Sequence, residues 1–353
     1  MKILVSHRYY WPDSAPYASL LHSIVKRWAA DGHEVDVITA LPSYKTDISD
    51  YSKQLEQKFC GITIYRLNLK NESGRFLRRL INAFQLATKL FLRAVIFKKY
   101  DIIMVSTYPP ILGGFMAALA SRLSRARFIY HCMDLHPEIG LISGEFSNPK
   151  FYAVLKKMDE FSCKVANPVV VLSNDMAKSL NDRNDILKVN IEVINNFALS
   201  SEPYSGHLDL PFDWPKGGMV ILFAGNVGRF QGLDVLMQAM AGLSNRPDIS
   251  LVIMGDGSEK NKLEQQARES TANVRFIDHQ TVEVAQKAMK KADIGFLSLL
   301  PNVYRYAYPS KTMSYLQQGL PILACIESES QLATEQSEYS AGLTLSNSDP
   351  QVL

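Results

Sequence analysis

Two α/β domains, each on a doubly wound and mostly parallel sheet, are the fold class this sequence predicts, and three observations carry the prediction. Short apolar runs that read as strands alternate with amphipathic stretches that read as helices along nearly the whole chain, the pattern of a parallel sheet with crossover helices. The alternation fails once, between Asn195 and Gly218, where Ser200-Ser201-Glu202-Pro203, Pro211 and Pro215-Lys216-Gly217-Gly218 have the composition of a linker. The length of 353 residues suits two cores better than one. The expected division is therefore a first domain over residues 1–195, a linker over 196–218 and a second domain over 219–353.

Taken in order, Lys2 to Ser6 is a buried strand, Arg8 to Ala18 an aromatic and proline-rich loop, Ser19 to Asp31 an amphipathic helix ending at Gly32, and Val35 to Thr39 the second strand. The first turn has no G-x-G-x-x-G, which weighs against a nicotinamide-binding opening. Further strands are expected from Ile62 to Leu67, Asp101 to Ser106, Phe128 to His131, Val169 to Leu172 and Ile191 to Ile194. Helices are expected from Ile111 to Arg122, Phe151 to Val165 and Asp175 to Asp182. After the linker, strands from Met219 to Ala224, Ser250 to Met254, Val274 to Ile277, Ile294 to Leu300 and Ile322 to Cys325 alternate with helices beginning at Leu233, Glu259, Val282 and Lys311. Both halves read as Rossmann-like domains meeting at a cleft.

Composition excludes several classes. An apolar share of 47% and a charged share of 21% are those of an ordinary soluble globular protein. Cys60, Cys132, Cys163 and Cys325 lack C-x-x-C spacing, which argues for a reducing compartment and against a zinc or disulfide framework. Met1-Lys2 runs straight into a strand with no signal peptide, and no window holds eighteen uncharged apolar residues, so a cytoplasmic location is expected. The net charge of +3 hides an asymmetry: residues 1–195 carry 26 Lys and Arg against 18 Asp and Glu, whereas residues 196–353 carry 12 against 17. Such an imbalance speaks to partners rather than to fold.

The stretch Tyr308-Pro309-Ser310-Lys311-Thr312-Met313-Ser314-Tyr315-Leu316 looks like the start of a helix, with Ser310 as its N-cap and Lys311 one residue on. Freed backbone N–H groups, the helix dipole and an ammonium together suit an anion. Gly225-Asn226-Val227-Gly228-Arg229 follows a strand and precedes a helix, a second turn able to hold a phosphate, or else a tight turn with an incidental Arg. Gly255-Asp256-Gly257-Ser258-Glu259 ends the next strand; helix-starting chemistry explains it better than base recognition. Tyr304-Arg305-Tyr306 suits base or sugar stacking and a packed loop equally. His131, Asp134, His136 and Glu138 lie within eight residues at a strand end, where ligands bind in such sheets; their spacing does not suit a metal, and sugar hydroxyls are the better use.

Residues 73–100 hold Arg75, Arg78, Arg79, Lys89, Arg93, Lys98 and Lys99 and no acid. At helical pitch Leu77, Ile81, Phe84, Thr88, Phe91 and Val95 make one stripe, and Arg78, Asn82, Gln85, Lys89 and Arg93 the opposite one. An apolar face backed by cations suits an anionic bilayer surface, and it equally suits a helix packed on its own sheet with a solvated basic face. Nucleic acid is disfavoured, because no aromatic-lined groove or reading motif accompanies the charge.

Together these segments resemble the retaining glycosyltransferases of the GT-B fold, family four among sugar transferases. P-S-K-x-x-x-Y-L-x-x-G-x-P, G-D-G-x-E and the early G-H-E-V-x-V-I-T carry that resemblance. Asp134-Leu135-His136-Pro137-Glu138 and Gly225-Asn226-x-Gly-Arg229-x-Gln231-Gly232 look most similar to the bacterial fucosyl- and N-acetylfucosaminyltransferase-like enzymes of capsule, O-antigen and colanic acid assembly. The resemblance implies transfer of a sugar from a nucleoside diphosphate, UDP favoured, to a lipid-linked or glycan acceptor, with retention and no metal, on the cytoplasmic face of the inner membrane. It places Arg229 and Lys311 on the diphosphate and His131 beside the donor sugar. Gly225, Asn226, Gly228, Gly255, Asp256, Gly257, Tyr308, Pro309, Ser310 and Ser314 would line the donor site, and Tyr10, Asp134, His136 and Glu138 the acceptor or sugar. Tyr306 and Ser314 stand where relatives carry a Glu pair, and Asn226 and Gln231 where they carry Arg and Lys. Relatives also continue past a strand like Gly342 to Leu345 into helices that cross back to the first domain, so a chain shortened at its C-terminus is expected. A sugar-nucleotide epimerase or hydrolase of the same shape, or a non-catalytic nucleotide- or glycan-binding subunit, are the competing readings.

Overall fold

The computed structural model describes residues 1–13, 15–43, 54–70, 76–97, 99–144, 146–183, 189–199, 209–345 and 353, excepting the side chains of Pro16 and Phe76. Arg75, Ser14 and the linker residues Ser200 to Pro203 lie outside them. Two compact units divide the chain, Met1–Asn195 and Asn196–Leu353.

In the first unit the elements run β1 (Lys2–Ser6), α1 (Pro16–Ala30), β2 (Glu34–Ala40), β3 (Glu56–Phe59), β4 (Ile62–Leu67), α2 (Phe76–Phe97) and β5 (Ile102–Ser106). Then come α3 (Leu112–Ser124), β6 (Arg127–Cys132), α4 (Glu138–Ile142), α5 (Pro149–Val165), β7 (Val169–Val171), α6 (Asn174–Asp182) and β8 (Ile191–Val193). The sheet order is β3-β4-β2-β1-β5-β6-β7-β8, parallel except where β3 runs against β4. Val5 sits beside Val37 on one side and Met104 on the other, and all three are buried, which is why the central strands read as unbroken apolar runs. The order reverses between β1 and β5, so their carboxyl ends, at Ser6 and Ser106, flank a topological switch point.

The second unit runs β9 (Met219–Ala224), α7 (Asp234–Gly242), β10 (Ile249–Met254), α8 (Lys260–Ser270), β11 (Val274–Ile277) and α9 (Val282–Lys291). It continues with β12 (Ile294–Ser298), α10 (Lys311–Gln317), β13 (Ile322–Cys325), α11 (Gln331–Glu338) and β14 (Gly342–Leu345). Its sheet, β11-β10-β9-β12-β13-β14, is parallel throughout. Phe223, Leu251, Ile253 and Phe296 are fully buried between sheet and helices. Here the reversal falls between β9 and β12, which carry the two segments singled out for phosphate binding.

Most expected elements are present within a residue or three at each end. The edge strand β3 and the helices α4 and α11 are additional. β3 is Glu-Gln-Lys-Phe on an exposed edge and has no apolar signal. α11 is polar, and the hydroxyl of its cap, Ser330, accepts from the Ala333 N–H.

α2 packs against α3 and β2, though not with the apolar stripe that one of the two sequence readings set against the sheet. Asn82, Leu86, Leu90 and Ala94 are buried, so the packing face overlaps the stripe that looked polar. Asn82 exchanges hydrogen bonds with the Lys70 backbone. Arg93 leaves the proposed membrane set: its guanidinium pairs with Asp36 at 3.0 Å and lies 3.6 Å from the centroid of the Tyr65 ring.

Glu138 is likewise diverted from sugar binding. With Asp159 it flanks the guanidinium of Arg183, which pairs with Glu138 and, at 2.6 Å, with Asp159, and which also donates to the His136 carbonyl. Tyr130 donates its hydroxyl to Asp159 as well. This buried set ties α4, α5 and the end of α6 to the sheet. Arg183→Met should lower the free energy of unfolding by about 3–5 kcal/mol, because two buried carboxylates lose their cation; urea denaturation of the two proteins measures it.

Candidate functional site

β9 ends at Ala224, and the chain turns through Gly225, Asn226, Val227 and Gly228 into a 3-10 turn at Arg229–Gln231. Phe223 is fully buried under the turn. Lys311 opens α10, which follows β12, and its side chain runs across the end of β9. A Cβ on Gly225 would stand 2.6 Å from Lys311 Cε, and Gly225 has φ +142°. The positive φ favours glycine there, and a side chain would push the lysine stem aside. Lys311 Nζ donates to Gln231 Oε1 at 2.8 Å and lies 4.5 Å from the centroid of the Phe223 ring.

Tyr315, one helical turn beyond Lys311 on the same face, fixes α10. Its hydroxyl accepts from the Ala224 N–H at 2.9 Å and lies within reach of the Leu222 and Phe296 carbonyls. The ring is fully buried, and Gly295 leaves it room, since a Cβ there would come within 2.7 Å of it. The spacing Lys-x-x-x-Tyr thus places an ammonium at the carboxyl end of β9 and bolts its helix to β9 and β12 together. Gln231 is held from the other side, its carbonyl accepting from the Ser298 hydroxyl at the end of β12.

The partner of Lys311 is a neutral amide rather than a carboxylate. Burial pushes its ammonium down from 10.5 to about 7, because a desolvated charge without a counter-ion favours its neutral form. Arg229 faces elsewhere: its side chain is 68% exposed and its Nε lies 3.4 Å from Glu259 Oε1. The two cations expected to share one diphosphate therefore hold separate partners in the structure.

The G-D-G-x-E segment serves close packing of two turns. A Cβ on Gly255 would lie 1.9 Å from the Gly225 carbonyl oxygen, and one on Gly257 2.1 Å from that of Val227. Val227 donates to the Asp256 carbonyl and accepts from the Glu259 N–H, while the Asp256 carboxylate pairs with Lys260. Tyr308 is buried, with its hydroxyl on Glu335 at 3.1 Å. Gly255, Gly257, Asp256 and Tyr308 are accordingly structural. Ser310 does not cap: it has helical dihedrals (φ −59°, ψ −19°), and its side chain makes no cap bond. Pro309 and Ser314 are partly buried beside it, and Asn226 is exposed.

In the first unit the switch point gathers side chains that the sequence pattern did not single out. His7, just after β1, reaches Ser106 Oγ at the end of β5 and packs edge-on against Tyr17, with ring centroids 4.6 Å apart; Tyr108 lies 5.9 Å from it. Tyr17 in turn meets His131 Nδ1 at 2.9 Å. Burial holds His7 down at about 3, with His131 and Arg8 adding to the effect, and holds His131 at about 4. Both rings are neutral near pH 7, suited to hydrogen bonding with hydroxyls rather than to charge pairing. Asp134 is pushed up to about 6 by burial, its N–H directed at Thr107. His136 is held near 4 by burial and then by Arg183. Tyr10 is fully buried in the core, with its hydroxyl on His22, and is not available to an acceptor. The signal for His7 was its place directly after the first central strand, which only the strand order makes meaningful.

Among the described residues, no group of three or more His, Cys, Asp or Glu is arranged to hold a metal ion.

Two family models match: "Glycosyl transferase 4-like domain" over residues 17–196 and "Glycosyl transferases group 1" over residues 218–353. WbjE of Pseudomonas aeruginosa, named as a glycosyltransferase, is 25% identical over 296 residues, covering 82% of this chain and 72% of its own. WcaI of Escherichia coli K12, named for glycosyl transfer in colanic acid biosynthesis, is 25% identical over 334 residues, covering 90% and 82%. Among solved structures, sucrose-phosphate synthase of Thermosynechococcus elongatus superposes with a TM-score of 0.73 at 15% identity, over 100% of this chain and 87% of its own. HepE of Anabaena, solved with UDP and glucose, gives 0.67 at 16%, with the same coverage. These neighbours establish the fold as GT-B.

Lys311→Met should make the protein more stable, by an amount that depends on pH. In the unfolded chain the lysine stays protonated to about its ordinary 10.5, and in the fold to about 7. The unfolded state thus binds more protons between those values, and the burden of the buried ammonium is full below pH 7 and lifts as pH rises toward 10.5. Melting temperatures of both proteins from pH 6 to 10 should show the gain shrinking over that window.

Proposed function

The chain belongs to the group 1 glycosyl transferases, and from that premise we propose that it transfers a sugar from a nucleoside diphosphate, UDP favoured, to a lipid-linked or glycan acceptor in bacterial surface polysaccharide assembly, with retention and without a metal. The observation that carries this reading is Lys311: a buried cation at the sheet's switch point, lying along a glycine turn, with a neutral amide for a partner. A diphosphate supplies the missing anion. Gly225 and Gly228 let it approach the backbone, and the N–H groups of Asn226, Gly228 and Ser310 are the donors placed to meet it, those of Gly225 and Val227 being committed to backbone carbonyls. Arg229, exposed and loosely paired, has the reach to leave Glu259 for a phosphate oxygen.

In this reading Lys311 stabilises the charge that develops on the departing phosphate, the largest single contribution open to such a site. The acceptor hydroxyl attacks the anomeric carbon on the face that the phosphate leaves and passes its proton to the departing phosphate oxygen, which gives retention and needs no carboxylate nucleophile. Consistent with that, Glu138 and Asp159 are engaged by Arg183. His131 and Asp134 are the polar groups assigned to sugar hydroxyls, with His7, Tyr17 and Tyr108 as the surrounding aromatic wall. UDP is favoured because HepE, of the same fold, is solved with it, and surface polysaccharide because WcaI bears that name. The enzyme works as a peripheral protein on the cytoplasmic face of the inner membrane.

Isothermal titration with UDP and with GDP tests the donor site. Because the lowered Lys311 must be protonated to pair with a phosphate, binding at pH 8 should take up a proton, seen as a heat that varies with the buffer, and affinity should fall as pH rises above about 7. Lys311→Ala should cost about 10²–10³ in turnover with the correct donor. Absence of binding across a panel of nucleoside diphosphates would favour the competing reading of a non-catalytic subunit.

A further inference from the structure

From the outward face of α2 we infer that this helix lies flat in the headgroup region of an anionic phospholipid leaflet and is the first unit's membrane contact. The inference concerns a surface remote in sequence from the donor turns, and it stands independently of whether sugar transfer occurs.

A helix that packs against a sheet normally turns its apolar side inward. α2 packs with Asn82, Leu86, Leu90 and Ala94 and leaves large apolar side chains outside. Leu77 is 70% exposed, Phe84 58% and Ile96 68%. Leu80, Ile81 and Leu92 are exposed beside them. At 100° per residue Leu77, Leu80, Ile81, Phe84 and Leu92 fall on one continuous strip, directed away from α3 and β2. Arg78 and Lys89 lie along one margin of that strip, and residues 73–100 contain no acid. An apolar strip with a cationic margin matches acyl chains below and anionic headgroups beside it, the long basic side chains reaching outward to the phosphates.

Two other occupants fit worse. A second copy meeting the same face across a two-fold axis would bring the cations of one α2 against those of the other, with no acid on the helix to offset them. Crossing the bilayer is open to α2 by length and composition alone. Its inner face, however, holds the Asn82 hydrogen bonds to Lys70 and the Arg93–Asp36 pair, which belong to the fold of the unit and would be torn out.

The test uses the full chain and vesicles of phosphatidylcholine with and without phosphatidylglycerol, read by co-sedimentation. Wild-type protein should partition onto the anionic vesicles and less onto neutral ones. The triple change I81Q, F84Q, I96Q is confined to exposed positions, and retention of the melting temperature confirms that it folds. It should lower partitioning at least about tenfold. R78E with K89E should remove the preference for phosphatidylglycerol. F84W supplies a direct reading: its fluorescence should be quenched by brominated lipid. Unchanged partitioning of the triple variant, or unquenched fluorescence from sedimented F84W, overturns the proposal. So does a lipid-free dimer that the triple change dissolves, since the face would then belong to a second copy. UDP titration of the triple variant should match wild type, so loss of the membrane contact and failure of the donor site are separately visible.

Discussion

One half-buried lysine, with a neutral amide and no carboxylate for a partner among the described residues, lies across the glycine turn of the second unit. Lys311 could be made comfortable by a neighbouring carboxylate, and instead it faces the amide of Gln231. The desolvation this imposes is tolerated because α10 is anchored independently, through Tyr315 to the ends of β9 and β12. The turn before the 3-10 segment favours glycine at 225 because of its φ of +142°, and the lysine stem lies directly over it. Charge, brace and glycine lie together at the carboxyl end of β9.

Several residues that resemble chemistry turn out to serve that rigidity. Gly255 and Gly257 allow the turn after β10 to lie against the carbonyls of Gly225 and Val227, so the second glycine pair supports the first. Glu138 is absorbed by Arg183, and Tyr308 commits its hydroxyl to α11. In each case a polar group in a buried setting has found a partner within the fold, as such groups must. Lys311 differs in having only a neutral amide for a partner, and in the first unit burial keeps the rings of His7 and His131 neutral, hydrogen-bonded to Ser106 and Tyr17, and raises the carboxyl of Asp134.

The surface of the first unit departs from the usual rule in the opposite sense. α2 sends an asparagine and an arginine inward, each with a specific partner, and turns leucines, isoleucine and phenylalanine outward. Inside, the Arg93–Asp36 pair with Tyr65 and Tyr100 stabilises the inward cation. Outside, a strip of this size is a surface built to be covered.

The alternation of strands and helices, the single break near residue 196 and the spacing from Lys311 to Tyr315 were legible in the chain itself. They depend on local periodicity and on side chains one turn apart, and a linear sequence preserves both. The P-S-K segment and the glycine turn could be picked out for the same reason, and so could the basic run around α2. What the sequence could not decide was which face of α2 points inward, which carboxylates are taken, and that Arg229 turns to Glu259 while Lys311 turns to Gln231. Those outcomes rest on contacts between residues tens of positions apart: Arg93 with Asp36, Arg183 with Glu138, His7 with Ser106. Long-range pairing is set by strand order, and strand order is a property of the packed sheet, so only the tertiary structure could assign these side chains to structure or to chemistry.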